Sequence, residues 1–385
     1  MRVVHMKIVI AIDSFKGSLS TYEAASGIQE AALCVFENAE TVILPVADGG
    51  EGTAKALTEG LGGKMVEAEV TGPLGERITA KYGIVESLAI IEMSEAAGIT
   101  LVPPEKRDPM NTTTYGVGEL ILDAIARGCR SFIIGIGGSA TNDGGVGMLT
   151  ALGYRFLDEN GTPIERGAKG LRNLRGIDDK AVVPTLGGCD FRIACDVTNP
   201  LLGENGCSRI YGPQKGADEA SVALMDKYLD NYAKVTKIYS PTADENEAGA
   251  GAAGGMGFAF QSFFNAKLER GIELVLETVR LKERLIGADL VITGEGRLDS
   301  QTVMGKVPIG VAREAKKLSI PVIAFSGSVT EDAEICNSYG IDAFFPILRR
   351  ISSLDKAMNK TNAYKNIRDT AKQVFRLIKI TKQDR

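Results

Sequence analysis

The stretch KIVIAIDSFKGSLSTYEAASGIQEAALCV, residues 7–35, decides the fold class. It begins with a short apolar run, residues 7–12, of the kind that forms a buried strand. The polar loop DSFKGSL follows, and then a capping box: Ser20 can accept from the N–H three residues on, and Glu23 can reach back. Ala24, Ala25, Ile28, Ala31, Ala32 and Val35 give the helix behind it one apolar stripe. Strand, glycine-bearing loop and helix in that order is the repeating unit of a parallel α/β sheet.

The same unit recurs at both ends of the chain. Residues 41–46 read as a strand, ADGGEGT as its loop, and the next helix runs to about residue 59. Near the C-terminus a strand at 289–293 leads through the loop GEGRLDSQTVMGK to a helix at 309–317. A strand at 322–326, a second capping box (Ser328, Glu331) and a strand at 343–347 complete that part. The middle differs. Residues 64–93 read as antiparallel strands joined by Gly-Pro and Gly-Glu turns. Behind them come a helix at 117–127 stopped by Gly128, a buried strand at 131–136, strands at 154–157 and 191–195, and a long helix near 218–237. PTADENEAGAGAAGGMGF (241–258) reads as loop, and 271–279 as helix. The expectation is an α/β protein of two α/β domains. A doubly wound, mostly parallel-sheet domain (1–62 plus 286–385) is interrupted by an inserted mixed α/β domain (63–285).

Composition narrows the chemistry. The 385 residues hold 45 glycines, one histidine, no tryptophan and six cysteines. The glycines follow no three-residue period, so they serve local needs. With His5 as the single histidine, a Ser–His–Asp triad or a histidine-rich metal site is excluded, and acid–base work falls to carboxylates, lysine or tyrosine. No C-x-x-C pair occurs, which points to reduced thiols and a cytoplasmic setting. No signal peptide and no membrane-length apolar run is read. The net charge of −5 argues against nucleic-acid partners. From residue 349 onward eleven basic residues face three acidic ones; Tyr364, Ile367, Ala371, Val374, Phe375 and Ile378 recur at helical spacing, the pattern of a packed helix with a solvated basic face. Small-molecule partners are expected, and a homo-oligomer is compatible with the sequence.

Four loops share one design, in which glycine beside Asp, Ser, Thr or Lys follows an apolar strand. Glycine lets backbone N–H groups approach an anion, and the helix behind favours negative charge. In the first, Asp13, Ser14 and Lys16 suit a phosphate or a substrate carboxylate. In the second, Asp48, Gly49, Gly50 and Glu51 set two carboxylates among glycines. The third, GIGGSATNDGG from Gly135, matches G-x-G-x-x-A, with Asp158 near the spacing of a ribose-binding acid. It lies too deep in the chain for a dinucleotide fold. Gly137, Gly138, Ser139, Thr141 and Asn142 read better as a phosphate cradle with Asp143 as a Mg²⁺ ligand. The fourth brings Gly294, Glu295, Arg297, Asp299, Thr302 and Lys306. Asp196, in DVTNP, is either a site residue or an Asx-type turn before proline. No Walker A motif occurs.

Six blocks in order carry a resemblance: DSFKGSLS, PVADGGEGT, GIGGSATNDGGVGM, CDVTNPLLG with GPQKGA, GAAGGMGF, and DLVITGEGRLDSQT with GKVPIGVA. Together they resemble the bacterial type I glycerate kinase family, from Met6 to about Pro346. Ile12 stands where that family usually has proline. The resemblance implies phosphorylation of D-glycerate with ATP and Mg²⁺, the 2-phospho product being favoured over the 3-phospho one. It also implies two α/β domains with the site in the cleft between them. Within that frame Asp196, or second Asp299, takes the hydroxyl proton, and Lys16 and Arg297 bind the carboxylate or the transferring phosphoryl. The Gly137–Thr141 and Gly49–Thr53 loops cradle phosphates or glycerate, and Asp48 or Asp143 holds Mg²⁺. Two other classes stand beside this reading: an NAD-dependent oxidoreductase and a non-catalytic glycerate or nucleotide sensor.

Overall fold

Ser20 accepts the Glu23 N–H at 3.3 Å and the Glu23 carboxylate accepts the Ser20 N–H at 3.0 Å, so the capping box opens a helix at Thr21–Val35. Its apolar stripe is buried, as the spacing requires. The computed structural model describes residues 6–383; His5 lies outside the described residues. They divide into two compact units, one of residues 6–48, 59–61 and 272–383, the other of residues 49–58 and 62–271.

The first unit is built on a five-stranded, wholly parallel sheet. Its order is Ala343–Pro346, Val322–Val329, Leu290–Leu298, Lys7–Ile10, Glu40–Ile43. From the Lys7–Ile10 strand the chain steps outward one way to Glu40–Ile43, and later the other way to Val322–Val329 and Ala343–Pro346. The crevice between Lys7–Ile10 and Leu290–Leu298 is therefore the switch point, where open α/β sheets bind ligands. The basic C-terminal helix, Lys360–Gln383, lies along Thr21–Val35 with Ile367, Ala371 and Phe375 buried. Gly27 makes room for it: a Cβ there would stand 3.1 Å from Ile367 Cγ2. Several cations of this helix are engaged locally, Lys360 with Glu23 and Lys379 with the Val35 carbonyl.

The second unit holds a six-stranded mixed sheet. Lys267–Glu269, Asp190–Ala194, Ser131–Gly135 and Leu88–Glu92 run parallel, followed by antiparallel Arg77–Val85 and Lys64–Thr71. A small hairpin pairs Arg155–Leu157 with Gly176–Asp178. The mixed α/β class is as the sequence implied. All six cysteines are free, and among the described residues no helix is long and apolar enough to cross a membrane.

Three local expectations are corrected. GEGRL is strand, not loop: Leu290–Leu298 continues through it, pairing Glu295 with Ser326 and Arg297 with Ser328. The polar residues gave no hydrophobic alternation, yet the ladder continues because Gly327 admits the Gly296 carbonyl, 2.6 Å from where a Cβ would stand. Ser328 is consumed by that ladder, so the second capping box does not form; Thr330 occupies the cap without a side-chain bond. Within the Ala-Gly run a helix, Ala252–Phe264, appears after a left-handed start at Ala253, Gly254 and Gly255. From Gly254 to Phe260 it is buried on every side, so it shows no amphipathic period.

Candidate active site

Each unit carries a cavity at the carboxyl ends of its parallel strands, and the expected site residues sort between the two.

In the first unit a cavity of about 430 Å³ lies at the switch point. The Lys7–Ile10 strand delivers the loop Asp13–Ser18, which is pinched shut by reciprocal backbone bonds between Phe15 and Leu19 at 2.8 and 3.0 Å. Lys16 stands exposed on that loop. Asp48, Glu295, Arg297, Asp299 and Lys306 complete the charged side of the cavity. Asp13 is 7% exposed. Burial above all, then the neighbouring Asp48 and Glu295 carboxylates, push its carboxyl up to about 7 against the opposing pull of the Ser14 N–H and Lys16. Burial likewise raises Glu295, which accepts the Thr302 hydroxyl at 2.6 Å. Lys306 stands 3.6 Å from Glu295 and 3.7 Å from Asp299, and Arg297 Nε is 3.2 Å from Asp299. Asp299 also accepts the Gln301 N–H at 3.0 Å.

In the second unit a cavity of about 310 Å³ is walled by Gly49, Gly50, Gly137, Gly138, Ser139 and Asp196, among others. At its edge Lys215 is buried, with its ammonium donating to Ser139 Oγ at 2.8 Å and to the Thr141 carbonyl at 2.7 Å. Burial pulls this amine down to about 8. Two of its three N–H bonds are used on the protein. Asp196 follows the Asp190–Ala194 strand and accepts the Gly271 N–H at 3.0 Å. Gly49 has φ +90°, and a Cβ there would come 2.6 Å from the Gly271 Cα, so this wall admits only glycine.

The structure thus brings Asp13, Ser14, Lys16, Asp48, Glu295, Arg297, Asp299 and Lys306 to one cavity, and Gly49, Gly50, Gly137, Gly138, Ser139 and Asp196 to the other. Asp196 and Asp299, the two candidate bases, line different cavities. Glu51, Thr141, Asn142, Asp143, Gly294 and Thr302 line neither. Asn142 donates to Ser208 Oγ at 2.9 Å. Asp143 is fully enclosed. Its carboxylate accepts the Thr114 N–H and hydroxyl, both at 2.9 Å, and the N–H groups of Gly145 (3.1 Å) and Gly147 (3.2 Å). Those donors fill the oxygens a cation would need and make Asp143 a tie for its own loop. Asp158 accepts the Asn160 and Thr162 N–H groups, closing a hairpin turn instead of reaching a ribose.

Two residues escaped the sequence reading. Lys215 lies in GPQKGA, where nothing local signals burial. Glu92, buried at a strand end, accepts the Gly52 N–H at 3.2 Å and the Ala54 N–H at 2.8 Å. It caps the helix Thr53–Gly60 and fixes the loop carrying Gly49 and Gly50. That helix terminus is already neutralised by a carboxylate, so the loop offers backbone shape to a ligand in place of a dipole.

A hard divalent cation fits the first cavity. Asp13 and Asp48 face it close enough to disturb one another, and Mg²⁺ is commonly held by one or two carboxylates plus substrate phosphates. Among the described residues no group of three or more His, Cys, Asp or Glu side chains is arranged as a metal site by itself.

Comparison with known proteins agrees over almost the whole chain. The model of the glycerate kinase family matches residues 8–379. The chain is 51% identical to a protein named glycerate 2-kinase from Escherichia coli (strain K12), covering 94% of this chain and 95% of that one. It is 45% identical to a glycerate kinase from Bacillus subtilis (strain 168), covering 98% and 99%. A crystal structure of a candidate glycerate kinase 2 from Salmonella typhimurium LT2 superposes with a TM-score of 0.91 at 46% identity, over 99% of this chain and all of that one.

Proposed function

The chain belongs to the glycerate kinase family, and we propose that it is a bacterial type I member that phosphorylates D-glycerate with ATP to give 2-phosphoglycerate. The observation that carries the reading is the pairing of a buried ammonium, Lys215, with a carboxylate, Asp196, in one glycine-walled cavity. Glycerate is a small acid with two hydroxyls; it needs one cation for its carboxylate and one base for the hydroxyl that reacts.

Lys215 uses its remaining N–H on the glycerate carboxylate, and Ser139 orients that ammonium. Glycine walls let the substrate approach backbone N–H groups. Asp196 accepts the hydroxyl proton as the hydroxyl oxygen bonds to the γ-phosphorus of ATP. The bond from that phosphorus to the β-phosphate bridging oxygen breaks, ADP leaves, and Asp196 returns its proton to solvent. Lys16 and Arg297 neutralise charge on the transferring phosphoryl, and Lys306 holds Glu295 and Asp299 in place. Asp48, with Asp13 beside it, would hold Mg²⁺, which supplies further neutralisation of phosphate charge when bound. Asp299 is the second candidate for the base; Arg297 and Lys306 engage its carboxylate in the first cavity. The 2-position is supported by the name of the Escherichia coli relative.

ADP release from ATP that requires both D-glycerate and Mg²⁺ tests the reading. Absence of glycerate-dependent release sinks it, and a change in NADH absorbance with glycerate would favour a dehydrogenase.

A further inference from the structure

The first-unit cavity has a second side that the proposed chemistry leaves without a ligand. The same cavity is also lined by Ile347, Leu348, Leu354, Ala357, Met358 and Ala363. Leu348, Leu354 and Met358 are 41%, 75% and 36% exposed, an apolar rim open to solvent. Glycerate carries an oxygen on every carbon and has no face to cover such a wall. A heteroaromatic base does.

We propose that this wall is the purine subsite of the kinase, with adenine of ATP lying against Leu348, Leu354 and Met358 and its phosphates directed to Lys16, Arg297 and Lys306 in the same cavity. Three observations support the placement. The cavity sits at the topological switch point of the parallel sheet, where nucleotides bind in folds of this class. Its apolar and cationic sides match the two ends of a nucleotide. The sides also touch: Met358 Cε stands 3.1 Å from where a Cβ of Gly17 would be, so the wall rests on the loop that presents Lys16. Leucine and methionine suit a flat ring whose edge they need not read. The second cavity is smaller, and its one aromatic wall, Tyr211, has its hydroxyl engaged by Asn199 at 2.6 Å. The inference rests on the kinase reading for the identity of the nucleotide.

Photolabelling of the full-length enzyme with 8-azido-ATP, protected by excess ATP, tests it without turnover. Label recovered in the peptide spanning 347–363 supports the subsite; protectable label in the second unit, at Tyr211 or residues 195–253, or none in 347–363, overturns it. Leu354→Glu changes an exposed side chain and should leave folding intact. It is expected to weaken ADP binding on the order of tenfold in calorimetry, with the KM for glycerate unchanged; unaltered ADP affinity overturns the proposal. The two readings fail separately. An enzyme labelled at 347–363 that shows no glycerate-dependent ADP release refutes the kinase reading and supports the subsite. An active enzyme labelled elsewhere refutes the subsite alone.

Discussion

The Lys215 ammonium donates to the Ser139 hydroxyl at 2.8 Å, joining a residue deep in the second unit to the glycine loop that follows the Ser131–Gly135 strand. A buried lysine held by a hydroxyl and a carbonyl, with the enclosed Asp143 carboxylate only partly offsetting its burial, is poised for an incoming anion.

Lys215→Met is expected to lower kcat/KM for glycerate by roughly 10²–10³. The sign of the pH dependence follows from the amine's position near 8. Below that pH the ammonium is charged and holds the substrate; above it the charge is lost and kcat/KM falls. Arginine keeps its charge, so Lys215→Arg should flatten that alkaline limb even if its overall rate is lower. A limb that persists unchanged in the arginine variant contradicts the role. Because the folded amine lies below its ordinary 10.5, the unfolded chain binds the extra proton between the two values, and this residue favours folding progressively as pH rises through that window.

Asp13 works in the opposite sense. Its folded value near 7 lies above the ordinary 3.8, so the folded state binds more protons between them and loses stability as pH rises across that range. In EDTA, Asp13→Asn should raise Tm at pH 8 and raise it less, or not at all, at pH 4. Equal gains at both values would show that Asp13 is not strained by its charge.

Asp196→Asn should reduce kcat by about 10²–10⁴ with the KM for ATP little changed. Asp299→Asn should act mainly on the KM for ATP, because it loosens Arg297 and Lys306. Reversal of the two profiles would move the base to Asp299.

Asp143→Ala strands the donors of Thr114, Gly145 and Gly147 in a sealed interior. A loss of about 3 kcal/mol in urea unfolding is expected. A variant of native stability whose Mg²⁺ requirement has changed would instead make Asp143 a metal ligand.

The parts of this protein legible in its sequence are those fixed locally. Ser20 and Glu23 announce a helix start because both bonds lie within four residues, and Ile367, Ala371 and Phe375 reveal a buried stripe through spacing alone. What escaped depends on distant chain. GEGRL becomes strand because Ser326–Val329 offers it a ladder. The helix at Ala252–Phe264 is hidden because burial on all sides erases its period. At the site, glycine, Asp and Ser mark the loops, but composition alone does not separate their roles. Asp143 and Asp48 look alike in sequence; one is saturated by backbone donors and the other lines a cavity. Lys215 and Glu92 acquire meaning only from burial and from partners more than thirty residues away.

The most direct test of the central claim is a proton-coupled phosphorus NMR spectrum of the enzyme incubated with ATP, Mg²⁺ and D-glycerate. Transfer to the 2-hydroxyl joins phosphorus to an oxygen on a carbon bearing a single hydrogen, so loss of the ATP γ signal and growth of a monoester doublet are expected. A triplet would place the phosphate on the 3-position. An ATP spectrum that does not change when glycerate is added would contradict glycerate phosphorylation altogether.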